Sequence, residues 1–326
     1  MGKTGLIRHV FHQMEAQKRA KCYYVDLYKT DSLASLVEQL AIIVLGSLDT
    51  TEKKIIKQVT TFFKSLRPLL SFDSLTGVPT FMVDVKPELA EHSLAEIFSY
   101  LEQSGQLCII AMDEFQTIAD YKENNMEALL RSHIQHLSSV HFIFSGSQRH
   151  VLEEMFASAN RPFYQSTQIM NFFEIQETSY YQFAKEKLEA HHQQLPTDVF
   201  GHLYQTLAGH TWYVQMAFNR LYESGVPSIS MAIADNVLTG IVDENEATFQ
   251  TFMRLVTPAQ AKLLRAIARE GSVQQALSQS FISQYGLGAT STVRSAIRAL
   301  VEKELVLDNQ GTYQVYDRFF ALWLKR

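Results

Sequence analysis

The chain has 326 residues, of which 46% are hydrophobic and 19% charged, and a formal net charge of −5. These values are ordinary for a globular protein of two or three domains with a full-sized core. They exclude a membrane-spanning protein, because no apolar run approaches the ~18 residues that a span needs, and no basic leader precedes an apolar core at the start. Cys22 and Cys108 both sit in apolar runs and read as buried thiols of a reduced, cytoplasmic protein. The charge is uneven: residues 257–326 hold nine Lys/Arg against five Asp/Glu, so a basic tail follows an acidic body. That asymmetry suits nucleic acid or an acidic partner.

In chain order, Gly2-Lys3-Thr4-Gly5 comes first. Gly2, Lys3 and Thr4 match the last three positions of the phosphate-binding loop G-x-x-x-x-G-K-[ST], which leads from a strand into a helix. A helical pattern follows over 4–20, with Leu6, Val10 and Met14 at i, i+4 spacing. Residues 22–27 read as a short buried strand. Helices are expected over 32–45 and 51–66, the second ended by Pro68, and a hairpin or loop over 72–85 around Gly77 and Pro79. A helix over 87–103 opens on Pro87 and stops at Gly105. The apolar run 107–112 ends in Asp113-Glu114, the run 140–144 ends in Ser145-Gly146-Ser147, and a further strand is expected over 168–174. Apolar strands alternating with helices indicate a parallel sheet covered on both faces, so residues 1–176 form an α/β domain.

From 177 to 256 only helical patterns appear. Thr257-Pro258 then resembles a helix cap with proline in the first turn. Helices over 258–269, 278–285 and 290–303, followed by two short strands around Gly311, make residues 257–326 a winged helix-turn-helix with 290–303 in the recognition position.

The chemistry-bearing residues fall at strand ends. Phosphate binding needs backbone N–H groups at a helix N-terminus and a lysine for the terminal phosphates. Lys3 is placed to reach the β- and γ-phosphates of ATP, and the Thr4 hydroxyl to hold Mg2+, with Gly2 and Gly5 in the loop. Adjacent carboxylates ending a buried strand are costly unless a cation or base compensates them. Asp113 is therefore the candidate metal-side ligand and Glu114 the general base. Ser145 is the first candidate for orienting the attacking water near the γ-phosphate, and Ser147 the second. His191 and His192 are neighbours on a helix and point apart, so they make no metal site. No zinc-hydrolase or serine-hydrolase pattern occurs. Arg294 and Arg298, at i, i+4 on the recognition helix, are candidates for DNA phosphates.

Taken together, Gly2-Lys3-Thr4, Met112-Asp113-Glu114-Phe115-Gln116, Phe142-Ile143-Phe144-Ser145-Gly146-Ser147, Arg161-Pro162-Phe163-Tyr164, Gly209-His210-Thr211-Trp212-Tyr213 and 316–324 (YDRFFALWL) resemble, in order and spacing, the archaeal-type ATPase family. This is a branch of the AAA+/STAND P-loop NTPases. The resemblance implies an ATPase core with Walker A and Walker B elements, a helical lid and a C-terminal winged helix. It also implies ATP or ADP and Mg2+ as ligands, with slow hydrolysis serving as a conformational switch. It places Gly209 in the lid near the adenine, with Thr211 where relatives often have proline. Three departures stand out. The arginine of the family's Pro-Leu-Tyr-Gly-Arg-like run is missing from Pro162-Phe163-Tyr164-Gln165-Ser166, and neither Arg161 nor Arg149 aligns with it. The strand that should feed the loop would precede Gly2: the expectation is a natural start upstream, the alternatives being a later strand or a partner that fills the gap, or a degraded function. Finally, some relatives continue past the winged helix. The alternative reading is a catalytically inactive DNA-binding or scaffold protein, with DNA, another protein or a second copy as partner.

Overall fold

The computed structural model describes residues 2–46, 63, 65–72, 79–123 and 125–326. The first of two compact units, Gly2–Asn171, is built on three parallel strands: β1 (Lys21–Asp26), β4 (Cys108–Asp113) and β5 (Val140–Phe144). Their order is β1-β4-β5, with Asp26 beside Asp113 and Met112 beside Phe144. A strand with neighbours on both sides and helices over both faces must be apolar throughout. The central strand β4 obeys this, with Cys108, Ile110, Ala111 and Met112 all fully buried. The outer side of β5 pairs with no strand among the described residues.

Helix α1 (Lys3–Ala16) precedes β1 and packs on it. Helix α2 (Leu33–Gly46) is apolar nearly all round and buries Leu36, Val37, Leu40, Ala41 and Val44 completely. A hairpin of β2 (Arg67–Phe72) and β3 (Pro79–Asp84) follows, and β3 packs on α2. Helix α3 (Ala90–Gln103) leads into β4, and a 3₁₀ turn, Phe115–Asp120, leaves it. Helices α4 (Met126–Ile134) and α5 (Arg149–Ala157) flank β5. Phe115, Phe144, Phe156 and Phe163 pack as one aromatic cluster, with ring centroids 4.4–5.8 Å apart, and this fixes the end of β4 against the end of β5.

The second unit, Phe172–Arg326, begins with helices α6 (Glu177–Glu189), α7 (Thr197–Thr206), α8 (Thr211–Ser224), α9 (Met231–Glu244) and α10 (Glu246–Arg254). A winged helix follows. Its helices are α11 (Pro258–Glu270), α12 (Gln279–Tyr285) and α13 (Thr290–Glu302), its wing is β6 (Val306–Asn309) paired antiparallel with β7 (Thr312–Val315), and α14 (Arg318–Lys325) closes it. Val273 and Tyr313 exchange both backbone hydrogen bonds and join the wing to the segment after α11. One core runs through this unit, from Leu203, Val214 and Leu221 to Leu264, Leu300 and Phe320.

Several expectations change. Residues 168–174 form no strand. Ile169, Met170 and Phe173 are exposed there, and no neighbour pairs with their backbone among the described residues, without which a strand has no ladder. On α1 the buried residue is Phe11, whereas Leu6 and Val10 face outward. Cys108 is buried as expected, but Cys22 is only half-buried. Most of the helix expected over 51–66, and Gly77 of the hairpin, lie outside the described residues. Pro68 sits inside β2. Among the described residues, no helix is long and apolar enough to cross a membrane.

Candidate functional site

Parallel strands carry their ligands at the carboxyl ends, where the loops open into a crevice. In the first unit that edge gathers Asp113 and Glu114 from β4, Ser145, Gly146 and Ser147 from β5, and the start of α1. Gly2 caps α1 in the left-handed region, at φ 71°, which glycine enters without steric cost. No side chain caps that helix end, so the N–H groups of its first turn remain as donors. A Cβ at Gly5 would meet nothing within 4 Å, which leaves that side of the first turn open.

Lys3 extends from this turn and donates its ammonium to the Gly146 carbonyl. The Thr4 hydroxyl donates to Asp113 Oδ2 at 2.8 Å. The same oxygen accepts from the Tyr24 hydroxyl, while Oδ1 accepts from the Glu114 N–H at 3.2 Å. Burial alone would push the Asp113 carboxyl up. The donors Tyr24, Thr4 and the Glu114 N–H outweigh burial, and the carboxyl ends below its usual range. The buried Ser145 hydroxyl adds to this pull without reaching a partner at hydrogen-bonding geometry. Tyr24 responds in the opposite sense. Burial and the adjacent Asp113 push its phenol up to about 12, so it stays a donor throughout the physiological range.

Glu114 sits at φ 53°, ψ 41°, a left-handed conformation that a non-glycine residue adopts at a cost of about 1 kcal/mol. That backbone carries its carboxylate to Ser147, whose hydroxyl donates to Oε2 at 2.7 Å and whose N–H donates at 3.3 Å. The Gln116 amide donates to the same oxygen. Gln116 is only 7% exposed, and its Oε1 is buried without a partner. A Cβ at Gly146 would lie 1.9 Å from Gln116 Oε1, so any larger residue there would push the Gln116 amide aside.

The fold thus brings together Gly2, Lys3, Thr4, Gly5, Asp113, Glu114, Ser145 and Ser147. Gly209 belongs to the second unit. It turns the chain at φ 64°, and a Cβ there would lie 2.7 Å from the Tyr204 hydroxyl, which donates to the Ile175 carbonyl. Arg161 bridges Glu127 at 3.1 Å and Glu154 at 3.0 Å, so its guanidinium is already paired. Arg298 pairs with Glu302 at 2.9 Å. Tyr24 and the latching role of Gln116 were not foreseen from sequence. Only the cross-strand register and the turn after β4 bring them to the site.

The donor set suits a small, hard divalent cation. Asp113 and Thr4 offer oxygen ligands, and the buried Ser145 hydroxyl next to Asp113 stands without a hydrogen-bond partner.

Residues 247–326 match the family model of a probable winged helix domain. Among solved structures, a Walker-type ATPase of Pyrococcus abyssi is similar at 19% identity, with a TM-score of 0.59 over 95% of this chain and 85% of that one. The ORC2 protein of Aeropyrum pernix, solved in ADPNP and ADP complexes, is similar at 14% identity, with a TM-score of 0.53 over 99% of this chain and 82% of that one. The likeness is one of fold: a parallel-sheet α/β unit, a run of helices and a C-terminal winged helix. No curated protein matches the sequence. The fold agrees with the resemblance to archaeal-type ATPases drawn from the motifs.

Proposed function

We propose that this protein binds ATP with Mg2+ at the carboxyl edge of the β1-β4-β5 sheet, hydrolyses it slowly and uses it as a conformational switch. The observation that carries this reading is the convergence of Lys3, Thr4, Asp113 and Glu114 on one edge of the sheet, from segments more than a hundred residues apart. Lys3 and the first-turn N–H groups of α1 bind the phosphates. Thr4 and Asp113 hold the cation, which when bound neutralises charge on the terminal phosphates. Glu114 accepts the proton of the attacking water, and Ser145 orients that water. Three donors hold Glu114 Oε2 in the resting protein, so Ser147 and Gln116 must release it before it serves as a base. Such a latch suits slow turnover.

In this reading residues 177–256, which contain Gly209, are the lid and residues 257–326 the winged helix. Titration with ATP and magnesium tests the reading. Lys3→Ala removes a charged donor worth about 1.5–3 kcal/mol, so it is expected to weaken binding at least tenfold. Equal affinities for wild type and variant would sink the proposal.

A second reading rests on the winged-helix match and on Arg161, which is already committed to Glu127 and Glu154. In it, the protein is inactive as an ATPase and binds DNA through α13. DNA affinity would then fall with rising salt, survive Asp113→Asn and Glu114→Gln, and drop with Arg294→Ala and Arg298→Ala. Indifference to the two arginines removes its basis.

A further inference from the structure

Asp113 is gripped from a side that the phosphate-loop pattern does not include. Tyr24 lies on β1, the strand beside β4, in a register that sets it next to Ala111, two residues before Asp113. Its hydroxyl reaches forward and donates to Asp113 Oδ2, the oxygen that also accepts from Thr4. The Arg8 guanidinium lies 4.7 Å from the centre of the Tyr24 ring, on its face, and Arg8 stands one turn after Thr4 on α1. A cation over an aromatic face is drawn to the negative face of the ring. The contacts close a circuit: Thr4 to Asp113, Asp113 to Tyr24, Tyr24 to Arg8, and Arg8 back along α1 to Thr4. Three elements are joined in this way at the metal side of the site.

The chemistry of the donor matters. An arginine or lysine against Asp113 would fix the carboxylate but cancel the negative charge that a cation needs. A phenol orients the same oxygen through a neutral O–H and leaves the charge intact. Outer partners of this kind commonly set ligand orientation, and losing one costs roughly 10–100-fold in metal affinity.

We propose that Tyr24 is a positioning residue for the metal side of the site, holding the Asp113 carboxylate in the orientation at which Thr4 and a divalent cation share it, with Arg8 fixing the Tyr24 ring. This rests on the nucleotide-binding reading for the cation itself, but not for the circuit of contacts. The variant Tyr24→Phe keeps the ring, its packing and the Arg8 contact, and removes only the hydroxyl.

Two measurements test the role. In the ligand-free protein, amide exchange over residues 6–10 is expected to quicken while exchange in β4 stays unchanged, because α1 loses one of its ties to the sheet. In a titration of ATP binding against Mg2+, the magnesium midpoint is expected to rise about tenfold, with nucleotide affinity in EDTA unchanged. A purely structural loss would weaken binding in EDTA as well. An unchanged magnesium midpoint in a protein that binds ATP overturns the proposal. If the wild type binds no nucleotide, the nucleotide reading fails and the exchange experiment alone decides: faster exchange at 6–10 supports the positioning role, and unchanged exchange overturns it.

Discussion

Removed from water without partners, a carboxyl such as Asp113 would hold its proton well above the usual range. Three donors reverse this: the hydroxyls of Tyr24 and Thr4 and the Glu114 N–H. The sign of the linkage follows. The folded-state pKa lies below the ordinary value of ~3.9, so the group's stabilising contribution is present above about pH 4 and is lost as pH falls through the depressed value. Asp317 works in the opposite direction, since burial raises its pKa, but it is common to wild type and variant and cancels in their comparison. The wild type should therefore lose thermal stability below pH 4 more steeply than Asp113→Asn, which should start lower at neutral pH. Parallel curves in a pH series of thermal melts would contradict this. Lys3, Thr4, Asp113 and Glu114 were legible in the sequence because each ends or begins a recognisable run. Tyr24 was not, because nothing local distinguishes it from a core strand residue. Its partner stands 89 positions away and is supplied by strand register.

At the scale of elements, the strands and helices with strong periodicity or clear punctuation fall where the sequence puts them. The run 140–144 coincides with β5, and Thr257-Pro258 begins α11. There the Thr257 side chain accepts from the Gln260 N–H at 3.3 Å, and the Gln260 side chain accepts from the Thr257 N–H at 3.1 Å, a complete capping box. Thr257→Ala is expected to destabilise the second unit by about 1 kcal/mol in chemical denaturation, without affecting ATP binding. A loss well below that would mean that the box is dispensable in this tertiary setting. The elements misread from sequence share a cause. The segment 168–174 has the apolar content of a strand but no paired neighbour among the described residues, and Leu6 and Val10 of the i, i+4 row on α1 lie outward while Phe11 is buried. Apolar content and spacing describe what an element can bury, whereas burial depends on what stands opposite.

At the scale of the molecule, an α/β unit that opens on helix α1 is followed by a unit whose helices share one core with the winged helix. This division matters for a switch. A core continuous from α7 to α14 makes the second unit cohere, so a signal from the nucleotide would act on it as a body. The order of motifs along the chain made the parallel-sheet unit and the C-terminal winged helix readable, whereas the core shared by residues 177–256 and 257–326 was not, since it depends on packing between helices far apart in sequence. Gly209 illustrates the limit: its sequence context suggested a base-side role, while its immediate duty is a turn closed by Tyr204. The most direct test of the central claim is calorimetric titration of the wild-type protein with ATP, in magnesium and in EDTA. Saturable one-site binding that tightens with magnesium, and weakens at least tenfold in Lys3→Ala, is the expected result. No binding, or binding indifferent to both magnesium and Lys3, would contradict it.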